Sequence, residues 1–380
     1  MDRPIYLDHN ATTPLDPAVF EEMKPFFLEE FGNASSRHEF GWAASQAVET
    51  ARARVAAMIG CLPKEIIFTS GATEANNIAL RGALTKEKNH IITCNIEHKA
   101  VLEVAQDLVR RNGAELTILP VDSNGLLKAE QVRDAITDKT GLISLIFGNN
   151  EIGTIHPIAE IGKIAKERGI YFHTDATQAT GHVSVDVNAM GIDLLSLSAH
   201  KFHGPKGVGA LYVRATNPRV KIRPFAVGGS QELGIRPGTL NVPGIVGLGK
   251  ASEIATTDLT GERSRVAALR DLLKSEITSK LDGVRVNGDK ESRLPHNLSL
   301  TFEGISNQSL LGALVRKVAL SAGSACTDPM AKPSHVLSAI GLSDTEAKST
   351  LRFGLGRFTT KAEIAGAAES VLEAVRKNRQ

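Results

Sequence analysis

The chain has 380 residues, 42% of them hydrophobic and 23% charged, which is enough apolar material for more than one core. A formal net charge of +2 supplies no long-range field toward nucleic acid or an anionic membrane, and no apolar run approaches the length of a bilayer span. Three cysteines, at 61, 94 and 326, fit neither a disulfide framework nor a zinc site. The expectation is therefore a soluble, cytoplasmic protein of two domains, with no metal, no direct nucleic-acid partner and no membrane.

Taken in chain order, Val48, Ala51, Val55, Met58 and Ile59 share one helical stripe that ends at Gly60, which predicts a helix ahead of the sheet. From residue 66, short β-branched apolar runs alternate with segments of helical period, the pattern of βα units around a parallel sheet. Ile66 to Thr69, Ile91 to Thr93, Leu116 to Leu119, Leu142 to Phe147, Ile170 to His173, Leu194 to Leu197 and Val208 to Val213 read as strands buried on both faces. Ile158, Ile161, Ile164 and Ala165 mark a helix stopped near Gly169. Beyond about residue 256 the pattern changes to a charged helix at 262–281, strands at 284–286 and 297–302, a helix at 308–319 and a last helix from 361, which reads as a smaller α+β domain.

Several polar segments fall at predicted strand ends. Ser198, His200 and Lys201 stand between two strands, and a lysine condenses with an aldehyde only where some of it is neutral, as in a desolvated electropositive site. An exposed loop lysine is the other reading of that segment taken alone. Asp175 ends an apolar strand, where open α/β sheets bind ligands. It suits a cationic ring nitrogen, or else simply caps a helix. Ser70-Gly71-Ala72-Thr73 opens a helix whose first amides could hold a phosphate, or be ordinarily capped.

Glu97-His98-Lys99 and Asn149-Asn150-Glu151 follow two further strands and open toward the same face, where His98 could stack on a planar ring and shuttle protons. Arg352 sits in an apolar run, where a guanidinium needs either a carboxylate ligand or a structural ion pair. Cys326 lies among small residues in Ser321-Ala322-Gly323-Ser324-Ala325-Cys326-Thr327, which predicts a mobile, exposed thiol. Cys61 and Cys94 have apolar neighbours and read as structural.

Together these segments resemble the cysteine desulfurases of the class V aminotransferase branch, the fold type I pyridoxal-phosphate enzymes. The likeness runs from Tyr6-Leu7-Asp8 to Arg357-Phe358-Thr359-Thr360 and includes Thr69-Ser70-Gly71-Ala72-Thr73-Glu74, Asn149-Asn150-Glu151-Ile152-Gly153, Asp175-Ala176-Thr177-Gln178, Ala199-His200-Lys201 and Gly323-Ser324-Ala325-Cys326-Thr327. The resemblance implies an α/β fold, with a mostly parallel seven-stranded sheet in a large domain, residues 12–256, and a smaller α+β domain made of 1–11 and 257–380.

It also implies pyridoxal 5'-phosphate joined to Lys201, Asp175 on the pyridine nitrogen, Gln178 on the ring hydroxyl and His98 over the ring. Ala72, Thr73, Ser198 and His200 would hold the phosphate, with Thr239 reaching in from the partner subunit of a homodimer. Asn150 and Arg352 would bind the carboxylate of L-cysteine, and Cys326 would accept its sulfur as a persulfide. The Ser-Ala-Cys-Thr segment resembles the branch that passes sulfur to an acceptor protein, an iron-sulfur scaffold or a thiolation enzyme. Pro237 and Ser230 depart from the family pattern near Thr239. A selenocysteine lyase or aminotransferase of the same fold is one rival, and a sulfur-assembly scaffold without turnover is another.

Overall fold

The computed structural model describes residues 3–323 and 333–379. Cys326 lies outside the described residues. In chain order the strands are β1 (Ile5–Tyr6), β2 (Ile66–Thr69), β3 (His90–Cys94), β4 (Glu115–Leu119), β5 (Thr140–Ile146), β6 (Tyr171–Asp175), β7 (Leu194–Ser198), β8 (Gly209–Val213), β9 (Val284–Asn287), β10 (Asn297–Phe302), β11 (Val318–Ala319), β12 (Ser321–Ala322) and β13 (Thr350–Gly354).

Seven of them form a sheet in the order β2-β8-β7-β6-β5-β3-β4, parallel except for β8, which runs against both β2 and β7. Because β8 reverses direction twice over, β2 again runs the same way as β7. The carboxyl ends of β2, β3, β5, β6 and β7 therefore share one edge of the sheet. Register fixes the rows there: Ile146 pairs with Asp175, and Asp175 with Ser196.

Strands β2, β3, β5, β6, β7 and β8 are buried along nearly their whole length, as their unbroken apolar runs require. The expectation of burial on both faces fails for β4. It is an edge strand in which only Leu119 is buried, with Glu115 and Ile118 exposed to solvent. The early helix runs Glu39–Ile59 and stops where Gly60 takes φ 71°, a left-handed cap that glycine adopts without strain.

A second sheet, antiparallel and ordered β12-β13-β10-β9, packs against the helices Leu259–Thr278, Asn307–Leu314 and Lys361–Arg379. Its core includes Leu298, Leu300, Phe302, Leu351 and Phe353, each worth roughly 1.5–3 kcal/mol of transfer free energy, and is separate from the core under the large sheet. β1 joins this part of the molecule by pairing in parallel with β11. The helix expected over 308–319 ends at Leu314: the Lys317 amide bonds the Leu314 carbonyl and closes the turn, and β-branched Val318 pairs with Ile5 instead.

Candidate active site

The shared carboxyl edge opens into a cavity of about 510 Å³, walled by Ala72, Thr73, His98, Asn150, Asp175, Gln178, Ser198, His200 and Lys201 among others. Nine of the residues proposed from sequence thus meet in one space, although they are spread over 130 positions of the chain.

At one end the helix Ala72–Ala83 begins with no side chain among the described residues capping it. Its N-cap residue, Gly71, has φ 153°, which an L side chain rarely adopts, and a Cβ at Gly209 would fall 2.7 Å from the Gly71 Cα. This close packing keeps the first amides of the helix bare toward the cavity, with the Ser198 hydroxyl nearby. The partial positive charge of such a terminus suits an anion.

Lys201 follows β7 on a short 3₁₀ turn, Ala199–Lys201, anchored by the wholly buried Phe202. Its ammonium donates to the carbonyls of Asn10 and Ala11 at 2.6 and 2.8 Å. Burial, with the Arg352 charge adding to it, pushes Lys201 down to about 8, so a useful fraction is neutral near neutral pH. The same burial brings His200 to about 4, and its Nδ1 lies 3.1 Å from the Thr12 hydroxyl.

Asp175 is 4% exposed, accepts from Asn76 Nδ2 at 2.8 Å and from the Thr177 amide at 3.1 Å. The helix-cap alternative is not realised, because a turn and not a helix follows β6; the carboxylate holds that turn and lines the cavity. His98 caps the helix Lys99–Asn112: its Nδ1 accepts from the Ala100 amide at 3.1 Å, so the neutral ring carries its proton on Nε2. Desolvation lowers its pKa, against the opposing pull of Asp175.

Glu97 does not open toward the cavity as expected. It is fully buried, accepts from the Ile146 amide and the Cys94 thiol, and is pushed well above the carboxylate range by desolvation, which keeps it a neutral acid. Burial likewise raises Cys61 to about 12 and Cys94 well above its ordinary value, which makes both poor nucleophiles.

Arg352, on β13, is 4% exposed and stands behind Asn150, donating to its carbonyl at 3.3 Å and to Asp8 at 3.0 Å. The ion pair considered as an alternative is therefore present, while Arg352 Nε has no partner among the described residues. Thr239 is exposed and takes no part in the cavity wall of its own chain.

Sequence reasoning missed Asn10 and Ala11, whose carbonyls seat the lysine, and Asn76, which orients Asp175. Asn76 had a signal: it is a polar residue on the buried face of its helix, beside Ala75 and Ile78. The arrangement offers an amine, a carboxylate and an anion cradle in one pocket, with room for a planar ring between them.

The chain belongs to the class-V aminotransferases, whose family model, Aminotransferase class-V, matches residues 5–366. Cysteine desulfurase IscS of Anaeromyxobacter dehalogenans (strain 2CP-C) is 49% identical to it, over 100% of this chain and 94% of that protein. A solved NifS-like protein superposes with a TM-score of 0.91 at 37% identity, covering 99% of this chain and 100% of that one. The structure of SspA in complex with cysteine follows at TM-score 0.82 and 39% identity, covering 93% of this chain and 99% of the other. Within the family, the chain is a cysteine desulfurase. No helix among the described residues is long and apolar enough to cross a membrane.

Proposed function

We propose that this enzyme uses pyridoxal 5'-phosphate to remove sulfur from L-cysteine, leaving L-alanine and a persulfide on Cys326. The observation that carries the proposal is the amine of Lys201, lowered to about 8, in one cavity with Asp175 and a bare helix N-terminus. The residues fit the coenzyme: Lys201 for its aldehyde, Asp175 for its pyridine nitrogen, Gln178 for its ring oxygen, and Ala72, Thr73, Ser198 and His200 for its phosphate. The buried Thr177 hydroxyl, on the cavity wall and without a partner among the described residues, supports a polar occupant. When bound, the coenzyme supplies an electron sink that labilises bonds at the substrate's α and β carbons.

The protein's own groups do the rest. Arg352, with Nε uncommitted, and Asn150 receive the substrate carboxylate and so aim its α-proton at the released Lys201 amine. Neutral His98, on the cavity wall, would relay protons to and from the substrate amine and thiol. Cys326, as a thiolate, attacks the substrate sulfur: an S–S bond forms, the substrate Cβ–S bond breaks, and the electron pair left on carbon takes a proton to give the methyl group of alanine.

The same reading divides the chain into a large domain, 12–256, and a small one, 1–11 with 257–380; the separate core around Leu298, Phe302 and Phe353 supports it, while Val336, Leu337 and Ile340 pack into the core of the large sheet. It includes a cytoplasmic homodimer in which Thr239 serves the partner's phosphate site, and an acceptor protein, an iron-sulfur scaffold or thiolation enzyme, that collects the persulfide. Turnover with alanine and persulfide both quantified, wild type beside Cys326→Ser, tests it. Stoichiometric persulfide from the serine variant would overturn the role of Cys326, alanine formed only with a keto-acid partner would favour an aminotransferase, and a preference for selenocysteine would favour the lyase.

A further inference from the structure

Outside the cavity wall, two buried imidazoles stack on each other across the two sheets. His182 lies in the loop after β6 and His296 immediately before β10, with ring centroids 3.9 Å apart and planes inclined by 31°. His182 Nε2 donates to the Lys201 carbonyl at 2.8 Å. His296 Nε2 lies 3.3 Å from Gln178 Oε1. Gln178 is held again from the N-terminal segment: its Nε2 donates to the Asn10 carbonyl at 2.8 Å and its Oε1 receives Asn10 Nδ2 at 3.4 Å. The Asn10 carbonyl is also the one that accepts from the Lys201 ammonium.

These contacts permit one orientation of the Gln178 amide. Turned over, its oxygen would face the Asn10 carbonyl and its NH2 would face two donors, Asn10 Nδ2 and His296 Nε2. His296 Nδ1 is buried without a partner among the described residues, so the ring's single proton belongs on Nε2, where it has an acceptor. With Oε1 occupied on both sides, the second N–H of Gln178 is left for the cavity.

We propose that His296 is a positioning residue for Gln178, and that the stacked His182–His296 pair couples this amide to the Lys201 backbone so that an N–H, and never the amide oxygen, meets the cavity's occupant. The inference rests on the pyridoxal-phosphate reading, in which Gln178 meets the ring oxygen. Burial keeps both rings neutral, His182 at about 4 and His296 well below its ordinary value, so the donor at His296 Nε2 persists across the working pH range.

A donor at the ring oxygen stabilises negative charge there and so makes the coenzyme–lysine linkage easier to deprotonate. The test loads wild type and three variants with pyridoxal 5'-phosphate and titrates the absorbance of the bound coenzyme against pH, without substrate, with the melting temperature of each apo-protein measured beside it. His296→Phe keeps an aromatic ring and loses the donor, His296→Asn is too short to reach Gln178, and His296→Gln returns an N–H near the Nε2 position. The absorbance midpoint is expected to rise by about one pH unit in the phenylalanine and asparagine variants, a roughly tenfold loss of acidity, and to stay at the wild-type value in the glutamine variant. A wild-type midpoint in both donorless variants, or an equal rise in His296→Gln, would overturn the proposal. A wild type that takes up coenzyme with no absorbance change at all would instead remove the cofactor reading beneath it.

Discussion

Glu151 is expected to weaken the protein as pH rises, and its replacement by glutamine should relieve that loss. The side chain is 7% exposed beside Ser334, whose hydroxyl donates to it. Desolvation raises it to about 7, with Ser334, Arg352 and Lys99 recovering only part of the shift. The folded state thus holds its proton to higher pH than the unfolded state, where a glutamate titrates near 4.5. Between those two values the unfolded chain loses the proton first, and stability falls across that window as pH rises. A shift of this size is worth about 3 kcal/mol above pH 7.

Glutamine keeps an acceptor for Ser334 and carries no charge to desolvate. With an unfolding entropy of about 0.8 kcal/mol/K for a chain of this length, the melting temperature of Glu151→Gln minus that of wild type should rise by about 3 °C between pH 5 and pH 8. Differential scanning calorimetry of the apo-proteins at the two pH values measures it. A difference independent of pH would refute the argument, because any packing effect of the amide is present at both.

Other substitutions have equally defined outcomes. Arg52 pairs bidentately with buried Glu232 and also holds the Ile66 carbonyl, so Arg52→Ala should lose about 3–5 kcal/mol in urea denaturation, and Arg52→Ala with Glu232→Gln should lose less than the single variant. Gly71→Ala finds steric room, with Ser198 Oγ 3.7 Å from the new Cβ, but strains a backbone at φ 153° by about 1–3 kcal/mol. Pyridoxal 5'-phosphate affinity, read by absorbance titration, should fall by about tenfold or more, and unchanged affinity would contradict the anion cradle. Arg352→Ala should raise KM for cysteine by at least about tenfold, from the loss of charge-assisted bonds, while leaving coenzyme affinity unchanged; equal loss of both would place Arg352 in coenzyme binding.

The fold class and most of the cavity wall were legible in the sequence because each rests on local chemistry. Apolar β-branched runs bound the strands, Gly60 stopped a helix, and the polar residues within three positions after Thr69, Cys94, Ile146, Asp175 and Ser198 had to emerge at strand ends. Local chemistry could not give the order of strands, in which β2 and β8 wrap back beside β7, nor which of the two edge strands, β2 or β4, would be left exposed. It could not say that Glu97, next to His98, turns inward to become a neutral acid. Nor could it show that Asn10 and Ala11 reach across some 190 positions to seat Lys201, or that Asp8 would claim half of Arg352. Those outcomes depend on which distant segments share a burial site and how much water that burial removes, and both are properties of the assembled packing.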